Sequence, residues 1–168
     1  MKKLLLLILA MVMLTIESIL CLHPDRRDDL AKFREAMNFI EFRQYVDTTY
    51  RYSFPLPEFF QKEDCPESEK GYALFGYHAH NLNLVIECKV VPDNRHEGSK
   101  GDFIDTGNVS SIDDYKYYSH HVFKGDHYLI LTFYYPRKAE NAVGRIIYRV
   151  KKWKPFLKKK LTLGNQEP

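Results

Sequence analysis

The stretch HYLILTFYY, residues 127–135, decides the fold, because no other segment of the chain is as strongly β-forming. Nearly all of its residues are aliphatic, β-branched or aromatic, and such side chains fit a pleated, buried surface. Lys124-Gly125-Asp126 predicts a tight turn before it. Residues 113–123 predict the strand on the other side of that turn. The sequence therefore predicts a β-hairpin here.

A third strand is expected after a second turn over residues 136–141. In 142–150, Ile146, Tyr148 and Val150 alternate with basic residues, which is the periodicity of a strand with one buried face. The turns between the three strands are too short for crossover helices, so we expect an antiparallel meander.

More strands precede this meander, and one helix precedes them. We expect the strands over 44–54, 72–80, 82–91 and 102–105. Pro55 and Pro57 are expected to end the first of them, because proline cannot donate to a ladder. Residues 25–40 predict a helix, since Leu30, Phe33, Met37 and Ile40 recur at spacings of three and four.

Aromatic residues on both faces of several strands favour closure of the sheet. The chain has 12 Tyr, 11 Phe and 1 Trp. A closed barrel removes exposed sheet edges, and about eight strands can enclose one small ligand. We therefore expect a mostly β fold, an antiparallel meander that closes into a barrel with an N-terminal amphipathic helix.

The N-terminus predicts export. Lys2 and Lys3 precede an uncharged run over 4–14, which is shorter than the roughly 20 apolar residues of a membrane span. We expect a signal peptide over 1–21, with an uncleaved anchor as the alternative. The protein is then secreted and extracellular, without a membrane span.

The mature chain is expected to be a single domain over 22–155 with a basic C-terminal tail over 156–168. Without residues 1–21 it has 23 basic and 21 acidic residues, a net charge of +2. This balance does not favour nucleic acid as a partner.

Cys65 and Cys88 are the two cysteines that remain after this cleavage. An even count in an oxidising compartment suggests a disulfide, and two unpaired buried thiols are the alternative. Cleavage after Ser18 instead leaves Cys21 in the mature chain as a third thiol. Asn108-Val109-Ser110 is an N-glycosylation acceptor, which we expect in an exposed loop.

Catalytic motifs do not stand out. The chain lacks Gly-x-Ser-x-Gly, a phosphate-binding glycine loop and His-Glu-x-x-His, so we expect neither an enzyme nor a cofactor. His78 and His80 share a strand face and could bridge a metal ion. Ordinary surface or core histidines are the favoured interpretation, and no metal site is predicted.

The aromatic residues are the better indication of a site, because tyrosine offers an apolar body and a polar hydroxyl. The expected ligand-binding residues are Tyr45, Tyr50, Tyr52, Phe75, Tyr77, Tyr117, Phe133 and Tyr135. Packing in the core or on the surface is the alternative for most of them. Glu87 interrupts an apolar strand, so it faces either solvent or a cationic ligand, and solvent is favoured.

A basic segment ends the chain. Residues 145–160 hold eight Lys or Arg and no acid. A host protein or polyanion could bind there through Lys151, Lys152, Lys154, Lys158, Lys159 and Lys160. The alternative is a solvated strand face with a solubilising tail.

The signal peptide, the helix, the segment QYVDTTYRY (44–52) after it and the aromatic meander together resemble secreted arthropod lipocalins, especially the salivary lipocalins of ticks. The resemblance implies a lipocalin-like barrel that sequesters a small hydrophobic or amine mediator and damps host inflammation or immunity. The Gly-x-Trp of many lipocalins is missing and no cysteine follows Cys88, so no binding residue is carried across. The alternative function is a secreted, immunomodulatory protein-binding module that acts through an aromatic surface and the basic tail.

Overall fold

The structure, a computed structural model, describes residues 28–64, 70–79, 82–92 and 101–156. Its helices are α1 (Asp29–Phe39) and α2 (Gly144–Lys151). Its strands are β1 (Phe42–Val46), β2 (Ser53–Pro57), β3 (Gln61–Lys62), β4 (Ala73–Ala79), β5 (Leu82–Pro92), β6 (Phe103–Asn108), β7 (Tyr115–Lys124) and β8 (His127–Pro136). The expected mostly β class with antiparallel pairing is confirmed.

The strands form two sheets. β1 and β2 pair as a separate hairpin, while the other six follow the order β3-β4-β5-β8-β7-β6. Within the described residues this larger sheet stays open, with β3 at one edge and β6 at the other. The expected barrel is therefore not seen, because no pairing joins the two edges.

The centre of the large sheet is the pairing of β5 with β8, which runs from Val85↔Tyr134 to Pro92↔His127. The chain leaves β5, forms β6 and β7 at the far edge, and returns through β8 to lie beside β5. This is a Greek-key arrangement. The hairpin of β7 and β8 was predicted and is confirmed, with Gly125 in its turn at φ 68°.

The third strand of the expected meander is wrong, because those residues form α2. Both periodicities are present in this segment. Ile146 and Val150 are four residues apart and buried, and Val143 precedes them at a spacing of three. Tyr148, which the strand pattern placed beside them, is 58% exposed. The helical stripe was therefore the one that packs on the sheet.

The N-terminal elements also differ in detail from expectation. The apolar stripe of the helix is confirmed, with Phe33 and Met37 buried. Pro55 does not end a strand, because it lies inside β2, whereas Pro57 is the last residue of β2. The N–H of Asp47 donates to the carbonyl of Tyr52, so the alternating ladder directs the backbone nitrogens of positions 55 and 57 away from β1. Proline therefore removes no hydrogen bond there.

The interior is packed with rings and aliphatic side chains. Tyr45 lies between Phe54 and Phe75, with ring centroids 5.0 and 5.1 Å apart. Phe133 stacks on Tyr135 at 5.2 Å. We call this side of the large sheet the inner face; α1, the β1–β2 hairpin and α2 cover it.

The C-terminal segment fastens the N-terminal elements to this face. Arg145 of α2 donates hydrogen bonds to the carbonyls of Met37, Asn38 and Ile40, at the C-terminal end of α1. The last carbonyls of a helix lack hydrogen-bond donors within the helix, and this guanidinium provides donors for them. Trp153, the only tryptophan, donates from Nε1 to the carbonyl of Ser53 at 2.6 Å.

Substitution of Arg145 with Met should lower the free energy of unfolding by about 1–2 kcal/mol, because α1 loses its charged donor while the alkyl packing remains. Urea unfolding followed by Trp153 fluorescence measures the change. Lys151→Met, at an exposed position of the same helix, is the control and should change stability little. Equal effects of the two substitutions would contradict the role assigned to Arg145.

The β3 edge is held by an ion pair between strands. The Nε2 atom of His78 lies 2.6 Å from Oε1 of Glu63, and its Nδ1 lies 3.2 Å from Oδ1 of Asn83. Hydrogen bonding to Glu63, and then to Asn83, raises the pKa of His78 above its ordinary value. Both ring nitrogens donate only in the protonated form, so these two oxygens favour the imidazolium.

We expect His78 to titrate above about pH 6.5 in an NMR titration of the histidine ring protons. Because its pKa is raised on folding, its contribution to stability is present below the unfolded pKa and is lost as the pH rises through the folded one. Glu63→Gln should move the midpoint down toward the ordinary value. Asp126→Asn, near another histidine, should leave it in place; an unchanged midpoint in Glu63→Gln would refute the pairing.

Candidate functional site

The side of the large sheet opposite the helices carries an unusual set of polar and aromatic side chains. We call it the outer face. Strand alternation and register place on it residues from four neighbouring strands. They are Val85, Glu87, Lys89, Phe103, Asp105, Tyr117, Ser119, His121, Ile130, Thr132 and Tyr134.

A chain of hydroxyls crosses the middle of this face. The Oγ atom of Ser119 lies 2.9 Å from Oγ1 of Thr132, its partner across the ladder, and 3.1 Å from Nε2 of His121. Ser119 is 3% exposed and Thr132 is 4% exposed, although the helices lie on the other side. These hydroxyls satisfy one another in a setting where an unpaired polar group would be costly.

The serine–histidine contact has the spacing of a nucleophile and its base. The Oγ of Ser119 is nevertheless almost inaccessible and is already bonded to Thr132. A substrate therefore has little access to that oxygen, and the arrangement favours binding over nucleophilic catalysis.

Glu87 lies at the outer face and not in the interior. Tyr134 donates its hydroxyl to Oε2 of Glu87 at 2.9 Å, and Nζ of Lys89 lies 3.4 Å from Oε1. The Glu87 side chain is only 12% exposed, so the expectation that it simply faces solvent is too coarse. Burial first, and then the Glu87 charge, raise the pKa of Tyr134 well above its usual range, so this phenol remains a donor.

A second tyrosine–carboxylate pair lies beside the first. The hydroxyl of Tyr117 donates to Oδ2 of Asp105 at 3.1 Å. This hydrogen bond is the main cause that raises the pKa of Tyr117. The rings of Tyr117 and Tyr134 are 6.5 Å apart between centroids. Two acceptor carboxylates thus lie next to two adjoining aromatic rings.

These groups line an open cleft of about 480 Å³, which we call the outer-face cleft. Residues after β6 form its rim. The lining comprises Lys89, Asp105, Asn108, Val109, Ser110, Tyr117, Ser119, His121, Ile130, Thr132 and Tyr134. With Glu87, which binds both Lys89 and Tyr134, the formal charges are two acids against one ammonium, or −1 with His121 neutral.

The eight aromatic residues expected to bind a ligand lie in different places. Tyr52, Phe75, Phe133 and Tyr135 are buried in the inner core, and Tyr45 is partly buried against it. Tyr77 is partly buried between Phe33 and Phe59, and Tyr50 is 36% exposed. Tyr117 alone of the eight lines the outer-face cleft. The sequence analysis did not identify Ser119 and Thr132. Each lies two residues from a tyrosine, Tyr117 or Tyr134, and this spacing could have indicated that they share a strand face with it.

Other predicted features are only partly within the described residues. Cys88 is fully buried, but Cys65 lies outside the described residues, so their pairing stays a prediction. His80 also lies outside them, and no group of three metal-ligating side chains occurs among the residues that the structure describes. Asn108 is exposed at the end of β6, and not within a loop as expected.

The basic tail is described only at its start. Lys151, Lys152 and Lys154 are exposed, while residues 157–168, with the other three predicted lysines, lie outside the described part. Across the described ranges, no helix combines the length and apolar character that a membrane crossing needs.

Comparison with known proteins gives no match among family models, curated proteins or solved structures. The resemblance to arthropod lipocalins therefore stays a prediction.

The buried hydroxyl pair can be tested by a double-mutant cycle. Ser119→Ala and Thr132→Val should each lower the free energy of unfolding by about 1 kcal/mol, because each leaves a buried hydroxyl without its partner. The double variant should lose clearly less than the two effects combined, since it removes both polar groups. Urea unfolding measures all three. Strict additivity would show that the two hydroxyls do not interact.

Proposed function

We propose that the chain is a secreted binding protein that holds a small amine-bearing aromatic ligand in the outer-face cleft and is not an enzyme. The observation that carries the proposal is the convergence of the Asp105 carboxylate with the rings and hydroxyls of Tyr117 and Tyr134 in one open cleft of about 480 Å³. Ligand sites commonly have volumes of about 300–1,000 Å³ and a few convergent polar groups.

The location of the cleft supports binding on the sheet surface and not within a barrel. The inner core is filled by rings such as Tyr52, Phe54 and Phe133, each 0% exposed. A ligand in that space would have to displace packed side chains. The outer face, in contrast, is open to solvent beside Asp105 and partly open at Lys89.

The charge of the cleft favours an amine over a lipid. Asp105 is exposed and accepts one hydrogen bond from Tyr117, so its carboxylate retains capacity for an ammonium group. Glu87 lies next to the cleft, where Lys89 and Tyr134 occupy its two carboxylate oxygens. Tyr117 and Tyr134 offer ring faces and Ile130 an apolar contact for the ligand's aromatic body. A fatty acyl chain would find too few apolar neighbours here.

Sequestration is the activity that such a site provides outside cells. A binding protein lowers the free concentration of a mediator in proportion to the sites it supplies. Damping of host inflammation or immunity is the biological outcome that we propose for it, in line with the resemblance to salivary lipocalins.

A second candidate function, a protein-binding module, is favoured by one observation. Phe103 and Ile104 are 38% and 40% exposed on β6, and Ile112 nearby in sequence is 51% exposed. Large exposed apolar side chains in one region mark interaction surfaces. Replacement of Ile104 and Ile112 by Ser would weaken binding to a partner protein and leave ligand binding in the cleft intact.

Isothermal titration calorimetry with histamine, tyramine and serotonin tests the ligand proposal on the secreted protein. We expect at least one of these amines to bind. Asp105→Asn should weaken it about tenfold or more, because a charge-assisted hydrogen bond contributes about 1.5–3 kcal/mol.

Asp113→Asn is the matched control, since Asp113 is exposed outside the lining of the cleft. It should leave the affinity unchanged. Absence of heat with all three amines, or equal affinities in Asp105→Asn and the wild type, would overturn the proposed function.

A further inference from the structure

The outer edge of β6 is open within the part of the chain that the structure describes. β6 ends the order of the large sheet, and no described strand pairs with its far side. An exposed strand edge is a template for pairing with another chain, and natural proteins protect such edges. We therefore expect some group to protect the edge of β6 from pairing with another chain.

The direction of the main-chain groups in β6 follows from two hydrogen bonds. The N–H of Arg137 donates to the carbonyl of Asp114, and the N–H of Val109 donates to the carbonyl of Tyr115. In an antiparallel sheet, successive residues of a strand direct their N–H and C=O groups to alternate neighbours. The main-chain groups of even-numbered residues in β7 therefore hydrogen bond to β8, and those of odd-numbered residues hydrogen bond to β6.

The register between β6 and β7 shows which residues of β6 form main-chain hydrogen bonds to β7. Gly107 faces Tyr117, and Asp105 faces Ser119, so the odd-numbered residues of β6 bond β7. Ile104, Thr106 and Asn108 therefore direct their N–H and C=O groups toward the open edge. Strand alternation also places these three side chains on one face.

The charges along β6 allow a second copy of the chain to pair here. Antiparallel pairing about a two-fold axis at Thr106 brings Ile104 opposite Asn108 of the second copy. Asp105 then lies opposite a glycine and not opposite another Asp105, so no like-charge pair opposes the contact. Ile104, 40% exposed, would be covered.

We infer that Asn108 carries an N-linked glycan and that this glycan caps the open edge of β6, which keeps the chain monomeric. Asn108 starts the acceptor Asn108-Val109-Ser110, and both polar residues are exposed. Arg137 donates to Oδ1 of Asn108 at 3.2 Å, so the Nδ2 side of the amide is directed away from that guanidinium. In the pairing described above, the glycan lies over Ile104 of the approaching copy.

The modification is a group transfer. Nδ2 of Asn108 loses one proton and forms a bond to the anomeric carbon of an oligosaccharide. The bond from that carbon to a lipid diphosphate breaks, and the lipid diphosphate leaves with the bonding electron pair. The donor belongs to the secretory pathway, so the inference rests on the export that the proposed function includes.

Expression of the full chain in eukaryotic secretory cells tests the inference. Intact mass and sedimentation velocity are measured on protein from the medium for wild type, Ser110→Thr and Ser110→Ala. Wild type and Ser110→Thr, which keeps the acceptor, should carry oligosaccharide mass and sediment as monomers. Ser110→Ala should lack that mass and self-associate.

Thr106→Lys in the Ser110→Ala background should restore the monomer, because two ammonium groups would meet at the two-fold axis. Thr49→Lys, at an exposed position outside β6, should not. Exported wild type without the added mass, or Ser110→Ala as monomeric as wild type, overturns the inference. Wild type that never reaches the medium instead overturns the export, whereas loss of amine binding alone leaves the glycan intact.

Discussion

The pairing of β5 with β8 is the constraint on which the rest of the structure depends. It joins residues about 40 positions apart and brings two hairpins, β4–β5 and β7–β8, into one sheet. β8 is then covered by neighbours on both edges, with Leu129, Leu131 and Phe133 completely buried on the inner face. Non-local pairing of this kind requires loop closure before any contact forms, which makes it the slow step of folding.

The same pairing creates the contrast between the two faces. On the inner side, helices and the β1–β2 hairpin exclude water, so rings and aliphatic groups pack there. On the outer side none of the described helices covers the strands. Two side-chain pairs, Ser119 with Thr132 and Tyr134 with Glu87, are hydrogen-bonded there across three strands. One sheet thus has two different faces: the inner face holds the fold together, and the outer face carries the cleft that we propose as the binding site.

The sequence patterns predicted the elements that depend only on residues close together in the chain. The hairpin of β7 and β8 follows from a glycine turn between aromatic strands, and α1 from its apolar stripe. Residues 142–150 satisfy both a strand and a helix period, and only packing of Val143, Ile146 and Val150 decides between them. Sheet order and openness carry no local signal, because they depend on which distant strand β8 meets. Tyr117 was predicted to bind a ligand inside a barrel and lies instead in the outer-face cleft. That Ser119 and Thr132 lie beside it follows only from the register of β7 and β8.

The contacts of Arg145, Trp153 and Pro155 have a consequence for synthesis on the ribosome. Arg145 binds carbonyls at the end of α1, and the N–H of Ser53 donates to the carbonyl of Pro155, across about a hundred residues in each case. The N-terminal helix and first hairpin therefore cannot dock fully until residues 145–155 have emerged. Until then the nascent chain would expose Phe33, Phe54 and their neighbours to chaperones.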